Sequence, residues 1–272
     1  MKNSYNRKSV WITGGGSGLG KAMALEYARL GALVAISGRR VDRLEETVQD
    51  IEKQGGSGLA VPCDVSQEDQ VISAVSIIIK SFGRIDVAVA NAAFSVSGNI
   101  EKLEAADWRR QFDVNVIGAA ITAKYALPEL RKTGGRLALV GSAGSLGPVP
   151  GFGVYVSSKY ALRAMGQTLS IELHGSGVSC TLLYPGYMET EFSQTDNQGQ
   201  LDPKKEKLSN TPYMWSTEKS ARVCIRAIQK RKREYAFSAL SKIWCWLGMH
   251  FPSSLHFYLT HFDLPGGLKA EE

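Results

Sequence analysis

Apolar residues recur along the chain in short, nearly continuous runs: Ser9 to Ile12, Leu33 to Ile36, Leu59 to Val61, Ile85 to Ala90, Leu137 to Val140 and Val178 to Leu183. Runs of this length suit strands buried on both faces of a parallel sheet. Between them, Arg43 to Lys53, Gln67 to Phe82 and Asp107 to Arg131 repeat their apolar positions at helical spacing. A further helix is expected from Tyr155 to about His174, and a last strand around Tyr235 to Ala239. Strands separated by helices need crossover connections, so the pattern predicts an α/β fold with a doubly wound parallel sheet flanked by helices.

The first run leads directly into Thr13-Gly14-Gly15-Gly16-Ser17-Gly18-Leu19-Gly20, and a helical pattern follows through Leu30. Glycines let the backbone turn tightly and approach a ligand, while a helix N-terminus offers unpaired amides and a positive dipole end to a pyrophosphate. Strand, glycine turn and helix in that order favour a dinucleotide site, and with it a Rossmann-type sheet.

Tyr155 and Lys159 stand four apart in Tyr155-Val156-Ser157-Ser158-Lys159, with Ser142 thirteen positions upstream of the tyrosine. On a helix that spacing places phenol and ammonium on one face. A cation at roughly 5 Å contributes about 3 kcal/mol at an effective dielectric near 20, so the phenol is expected to fall by about two pKa units. Ser142 can hydrogen-bond a carbonyl or hydroxyl held beside that phenol.

These motifs, in this order, resemble the short-chain dehydrogenase/reductase family in its single-domain form, over nearly the whole chain to about Thr190. The resemblance assigns Thr13, Gly14, Gly18 and Gly20, with Gly16, Ser17 and Leu19 between them, to the cofactor turn. It places Asp64, followed by Val65, against adenine, and Asn91-Ala92 in the element after the fourth strand, where Ala93 replaces the family's glycine. It also implies that Asn115 holds a water in a proton relay from Lys159. Ser142, Tyr155 and Lys159 become the catalytic serine, tyrosine and lysine. Pro185, Gly186 and Thr190 would close over the nicotinamide. The implied reaction is hydride transfer between the nicotinamide and a ketone or secondary alcohol, with Tyr155 exchanging the proton and Lys159 also bonding the ribose. The other reading is a cofactor-binding regulator or scaffold without turnover. A homo-oligomer, dimer or tetramer, built on the helices carrying Asn115 and Tyr155 is also implied.

Cofactor choice rests on the end of the second strand, where an acid would bind the ribose of NAD. Here the chain reads Gly38-Arg39-Arg40. Two guanidiniums suit a 2′-phosphate, so NADP(H) is expected, with NAD(H) as the alternative and Arg39 as the leading contact. Leu146, Val149, Phe152, Tyr187, Met188 and Phe192 are candidates for an apolar substrate pocket. The polar stretch within 187–216, with Pro203 and Pro212, reads as a substrate lid.

After Lys230-Arg231-Lys232-Arg233, the segment from Ile243 to Phe262 has no acid, lysine or arginine and carries six aromatic residues besides its histidines. Residues 1–240 thus read as one catalytic domain and 241–272 as an apolar extension and tail. The extension is expected to pack on this subunit or a partner and to cover the substrate mouth. The alternative is an interfacial foot on a membrane, assisted by the basic run, which would make a lipophilic ketone or alcohol the more natural substrate.

The net charge of +6 is scattered apart from that run, and no nucleic-acid module appears. Cys63, Cys180, Cys224 and Cys245 lack metal or disulfide spacing and are expected to be reduced and structural, and the four histidines are read as surface or packing residues, so no metal is expected. With no apolar signal region before the first strand, a cytoplasmic protein is expected, peripheral to a membrane if the foot is used.

Overall fold

A computed structural model describes residues 5–188, 190–200, 202 and 214–262. Seven strands form one parallel sheet in the order β3-β2-β1-β4-β5-β6-β7. They are β1 (Ser9–Thr13), β2 (Leu33–Gly38), β3 (Ser57–Pro62), β4 (Val87–Ala90), β5 (Arg136–Val140), β6 (Ser179–Tyr184) and β7 (Glu234–Ala236). The helices between them are α1 (Gly18–Arg29), α2 (Val41–Lys53), α3 (Glu68–Phe82), α4 (Ala105–Phe112), α5 (Gly118–Thr133), α6 (Gly153–Glu172) and α7 (Thr217–Gln229). Strand order reverses between β1 and β4, which opens a crevice at the carboxyl ends of these strands, where α/β sheets bind ligands.

The apolar runs are continuous because each strand feeds two cores. In β1, Val10 and Ile12 pack with α1 and α7 on one face, while Trp11 joins the opposite core. Trp11 takes its indole hydrogen into the sheet and donates it to Ser37 Oγ at 2.9 Å, so the buried polar atom is satisfied.

Three expectations change in detail. The helix expected from Asp107 to Arg131 is two helices joined by one wide turn, Asp113–Ile117, with π-type hydrogen bonding. Such turns insert a residue into a helix and re-aim its side chains, a change that apolar periodicity does not signal. The last strand stops at Ala236, because Ser238 caps the next helix by accepting from Ser241 N. The segment from Ile243 to Phe262 belongs to two short helices, α8 (Ala239–His250) and α9 (Pro252–His261), separated where Pro252 begins the second.

Helix α8 is seated on the loops that follow β5 and β6, at the carboxyl end of the sheet. Gly248 lies so close to the Leu146 carbonyl that a β-carbon would not fit, Cys245 enters the core, and Ser241 stands against Gly186. Across the described residues, no helix is long and apolar enough to cross a membrane. The basic run precedes β7, at the opposite end of that strand from the start of α8, and Arg231 donates to the carbonyls of Gly177 and Gly134, which lie just ahead of β6 and β5.

Candidate active site

A single cavity of about 1470 Å³ runs from the glycine turn to the C-terminal helices. It exceeds the roughly 300–1,000 Å³ usual for one small ligand, so it has room for two.

At one end stands the turn after β1. Gly14 and Gly18 have φ of +67° and +52°, left-handed values that glycine adopts without strain. Gly20 packs against the Gly14 carbonyl with no room for a side chain. Ser17 places no side-chain cap on α1, and the first turn of that helix holds no acid. Its amides and dipole are thus free for an anion. Of the residues assigned to the cofactor, Gly14, Gly16, Ser17, Gly18, Leu19, Arg39, Arg40, Asp64, Val65, Asn91, Ala92, Pro185, Gly186 and Thr190 line the cavity. Thr13 and Gly20 lie behind it.

Thr13 and Asn91 work as a stitch between β1 and β4. The Thr13 hydroxyl accepts from the amides of Asn91 and Ala92 at 3.0 and 3.1 Å, and Asn91 Nδ2 donates to the carbonyls of Thr13 and Gly14 at 2.9 and 3.2 Å. Ala93, in place of the family's glycine, takes no left-handed backbone angle, so the replacement costs nothing there. Asp64 accepts from the amide and hydroxyl of Ser66 at 3.0 and 2.7 Å, which fixes the turn after β3.

Three arginines flank the turn. Arg39 is exposed and reaches toward Gly199. Arg40 donates to Ser17 Oγ at 3.0 Å, and Arg43, in the first turn of α2, lies against Gly16. Arg43 was not singled out from the sequence, although it falls three positions after Arg40 at a helix start. Both Arg40 and Arg43 are 3.9 Å from the carboxylate of Glu191.

The other end is enclosed around Lys159. Tyr155 and Lys159 rise from the first two turns of α6, and Ser142 caps the short 3-10 turn Ala143–Ser145 after β5. Ser142 Oγ accepts from Gly144 N at 3.1 Å, which fixes the oxygen and leaves its proton to donate. Lys159 is buried, donates to the Val140 carbonyl at 2.9 Å, and its Nζ stands 5.6 Å from the centre of the Tyr155 ring.

The expected direction of the tyrosine shift is reversed. Burial pushes the Tyr155 phenol up to about 12, with the Ser142 hydrogen bond opposing it, and burial lowers the Lys159 amine to about 7. Desolvation disfavours both charged forms, and here it outweighs the attraction between them. Burial at that depth is not readable from a four-residue spacing.

Asn115 sits in the wide turn and is buried. Its Oδ1 accepts from Phe94 N at 3.1 Å, and its Nδ2 donates to Phe94 O at 3.1 Å and to Ser158 Oγ at 3.2 Å. Ser158 in turn donates to the Tyr155 carbonyl at 2.6 Å. The side chain therefore ties the loop after β4 to the first two turns of α6.

Among the expected pocket residues, Val149, Phe152, Tyr187, Met188 and Phe192 line the cavity, and Phe192 stands edge-on to Tyr155 at 5.7 Å between ring centres. Leu146 does not, because it turns into the core beneath α8. The cavity is completed by Ile243, Trp244, Leu247, Leu255 and Tyr258 from α8 and α9, none of which sequence proximity to Tyr155 pointed out. The expected lid leaves and returns at one place, since Met188 bridges Trp215 and Trp215 N donates to Tyr187 O at 3.1 Å. Pro203 and Pro212 lie outside the described residues. The four cysteines are buried and free, and among the described residues no acid, histidine and cysteine group could hold a metal.

A family model described as short chain dehydrogenase matches residues 8–201. The chain is 30% identical over 274 aligned positions, 97% of this chain and 78% of the other, to an 11-beta-hydroxysteroid dehydrogenase A of Sesamum indicum. Three further plant relatives with that activity in their names are matched over 55–57% of their own length. Among solved structures, an alcohol dehydrogenase of Thermococcus sibiricus complexed with 5-hydroxy-NADP is similar at 30% identity and a TM-score of 0.74, covering 86% of this chain and 97% of that one. A 3-ketoacyl-(acyl-carrier-protein) reductase of Brucella melitensis complexed with NADH is similar at 25% identity and 0.75, covering 86% and 97%. The chain belongs to the short-chain dehydrogenase family and is an oxidoreductase with a nicotinamide cofactor and a small-molecule substrate.

Proposed function

We propose that this short-chain dehydrogenase uses NADP(H) to interconvert a lipophilic ketone and its secondary alcohol, of steroid-like size, with Tyr155 as the acid and base. The observation that carries this reading is the continuity of the cavity. One wall presents Arg39, Arg40 and Arg43 beside an uncapped helix N-terminus; further along, Ser142 and Tyr155 stand opposite the apolar face of α8 and α9. The hydroxysteroid dehydrogenase among the relatives supports the same substrate class.

The glycine turn, with the α1 amides, would hold the pyrophosphate, the arginines the 2′-phosphate, and Asp64 the adenine side. The bound nicotinamide supplies or accepts the hydride. Tyr155 gives its proton to the carbonyl oxygen in reduction and takes it from the hydroxyl in oxidation. Ser142 donates to that oxygen and orients it. Lys159, with its amine near 7, gains or loses a proton at little cost around neutrality, so it can restore the tyrosine's protonation state. Asn115 positions Tyr155 through Ser158.

The two helices carrying these groups leave Ile117 and Ile171 exposed at 47% and 76%, which supports a homo-oligomer formed there. Light scattering on the purified protein measures it.

Turnover of a panel of hydroxysteroids, aliphatic alcohols and their ketones with NADPH, NADP, NADH and NAD tests the reading. Apolar ring substrates are expected to be turned over with NADP(H), and Tyr155→Phe is expected to lose about 10²–10⁴-fold in kcat/KM. Tight NADPH binding without Tyr155-dependent turnover of any member would instead favour the regulator.

A further inference from the structure

The segment that follows the nicotinamide loop touches both ends of the cavity within two consecutive residues. Thr190 lies over Gly18 and caps the one-turn 3-10 helix Glu191–Gln194 by accepting from Phe192 N at 3.3 Å. Glu191 points back to the arginines, with one oxygen 3.9 Å from Arg40 Nη1 and the other 3.9 Å from Arg43 Nη2. Phe192 points forward and meets the Tyr155 ring edge-on. Thr195 donates to the Phe192 carbonyl at 3.0 Å, which helps hold this turn together.

Glu191 is a poor fit where it stands. At 3.9 Å the guanidiniums neutralise it without bonding it, and its Oε2 is shielded from water with no hydrogen-bond partner. A carboxylate so placed loses hydration and gains only part of what an arginine pair can give. A phosphate monoester has three oxygens and up to two charges, and it can bond both guanidiniums at once. The two anions cannot share the space.

We propose that Glu191 determines cofactor specificity, resting on the NADP(H) reading above: it occupies the Arg40–Arg43 pair until a ribose 2′-phosphate displaces it, and the displacement carries Phe192 off Tyr155. A nucleotide without that phosphate leaves Glu191 in place and Phe192 against the phenol. The arginines thus read the phosphate, and the turn reports it to the proton donor. Selectivity then lies in whether the substrate reaches Tyr155 as well as in how tightly the cofactor binds.

Calorimetric titration of the full chain and of Glu191→Gln with adenosine 2′,5′-bisphosphate and with 5′-AMP, at low ionic strength, tests the competition. Two half-exposed ion pairs correspond to about a three- to tenfold gain for the bisphosphate in the variant, with 5′-AMP unchanged. Unchanged bisphosphate affinity in Glu191→Gln overturns the proposal. A bisphosphate no tighter than 5′-AMP in both proteins sinks the NADP(H) reading and the proposal with it. Bisphosphate preference confined to the variant supports Glu191 as the occupant in its strongest form. Amide exchange over 190–200 tests the coupling: the bisphosphate should accelerate it in the natural protein, to the rate that the variant shows without ligand. Exchange that ignores the bisphosphate overturns the coupling to Tyr155.

Discussion

The two ends of the cavity place cations in opposite surroundings. Arg40 and Arg43 expose 46% and 38% of their side chains and keep their charge in contact with water, whereas Lys159 is 2% exposed and its amine falls to about 7. A wet cation attracts an anion over a distance and is screened by salt. A dry one holds charge only at a cost, so its proton becomes negotiable near neutrality. The wet end is suited to choosing a nucleotide and the dry end to moving a proton.

Replacing the dry cation should give the largest departure after loss of the Tyr155 hydroxyl. Lys159→Met is expected to reduce kcat/KM by about 10²–10³-fold, in the range of a lost acid–base partner. Its stability signature separates chemistry from packing. The folded pKa of Lys159 lies below its unfolded value, so the unfolded chain binds the extra proton between about 7 and 10.5 and the buried amine penalises folding most below about 7. The penalty fades as pH rises through that window. The melting temperature of Lys159→Met relative to the natural protein should therefore be most favourable at pH 6 and decline toward pH 10. A difference that is flat with pH would mean that Lys159 keeps its charge and the contrast between the ends is wrong.

At the wet end the expected effect is smaller and salt-dependent. Arg43→Ala should weaken NADPH by about tenfold at low ionic strength and much less at high salt, with NADH nearly unaffected. Equal losses for both nucleotides would place Arg43 on a shared part of the cofactor.

The same contrast explains what could be read without coordinates. Strands such as β1 and β5 are legible because burial on both faces leaves an uninterrupted apolar run, and Tyr155 and Lys159 because helical spacing is local. Arg39 and Arg40 are legible as the residues that follow a strand. The meeting of Glu191 with Arg40 and Arg43 is not, since about 150 positions of intervening chain set it. Nor is the direction of the tyrosine shift, because desolvation depends on everything packed around the ring. Asn115 is recognisable by its place in a motif, yet the wide turn that aims it at Phe94 and Ser158 leaves no mark in the apolar pattern. Leu146 fails for a related reason: nearness to Ser142 in the chain does not say that α8 will settle on top of it.

The narrowest expected effect, confined to bulky substrates, concerns what keeps the far wall of the cavity apolar. Trp244 of α8 lines the cavity and packs against Gly147, in the loop that follows Ser142. An indole there contributes apolar area to a bulky substrate and excludes water from the far wall. Removing it should cost a ring-sized substrate about 1–2 kcal/mol of binding, or roughly five- to thirtyfold in KM. A three-carbon ketone that does not reach the wall should lose little, and kcat should change less than KM because no proton passes through the indole. Steady-state kinetics of Trp244→Ala on one bulky and one small ketone decide this. If both substrates lose kcat equally, Trp244 acts by holding the Ser142 loop, and α8 belongs to the proton-transfer machinery rather than to substrate selection.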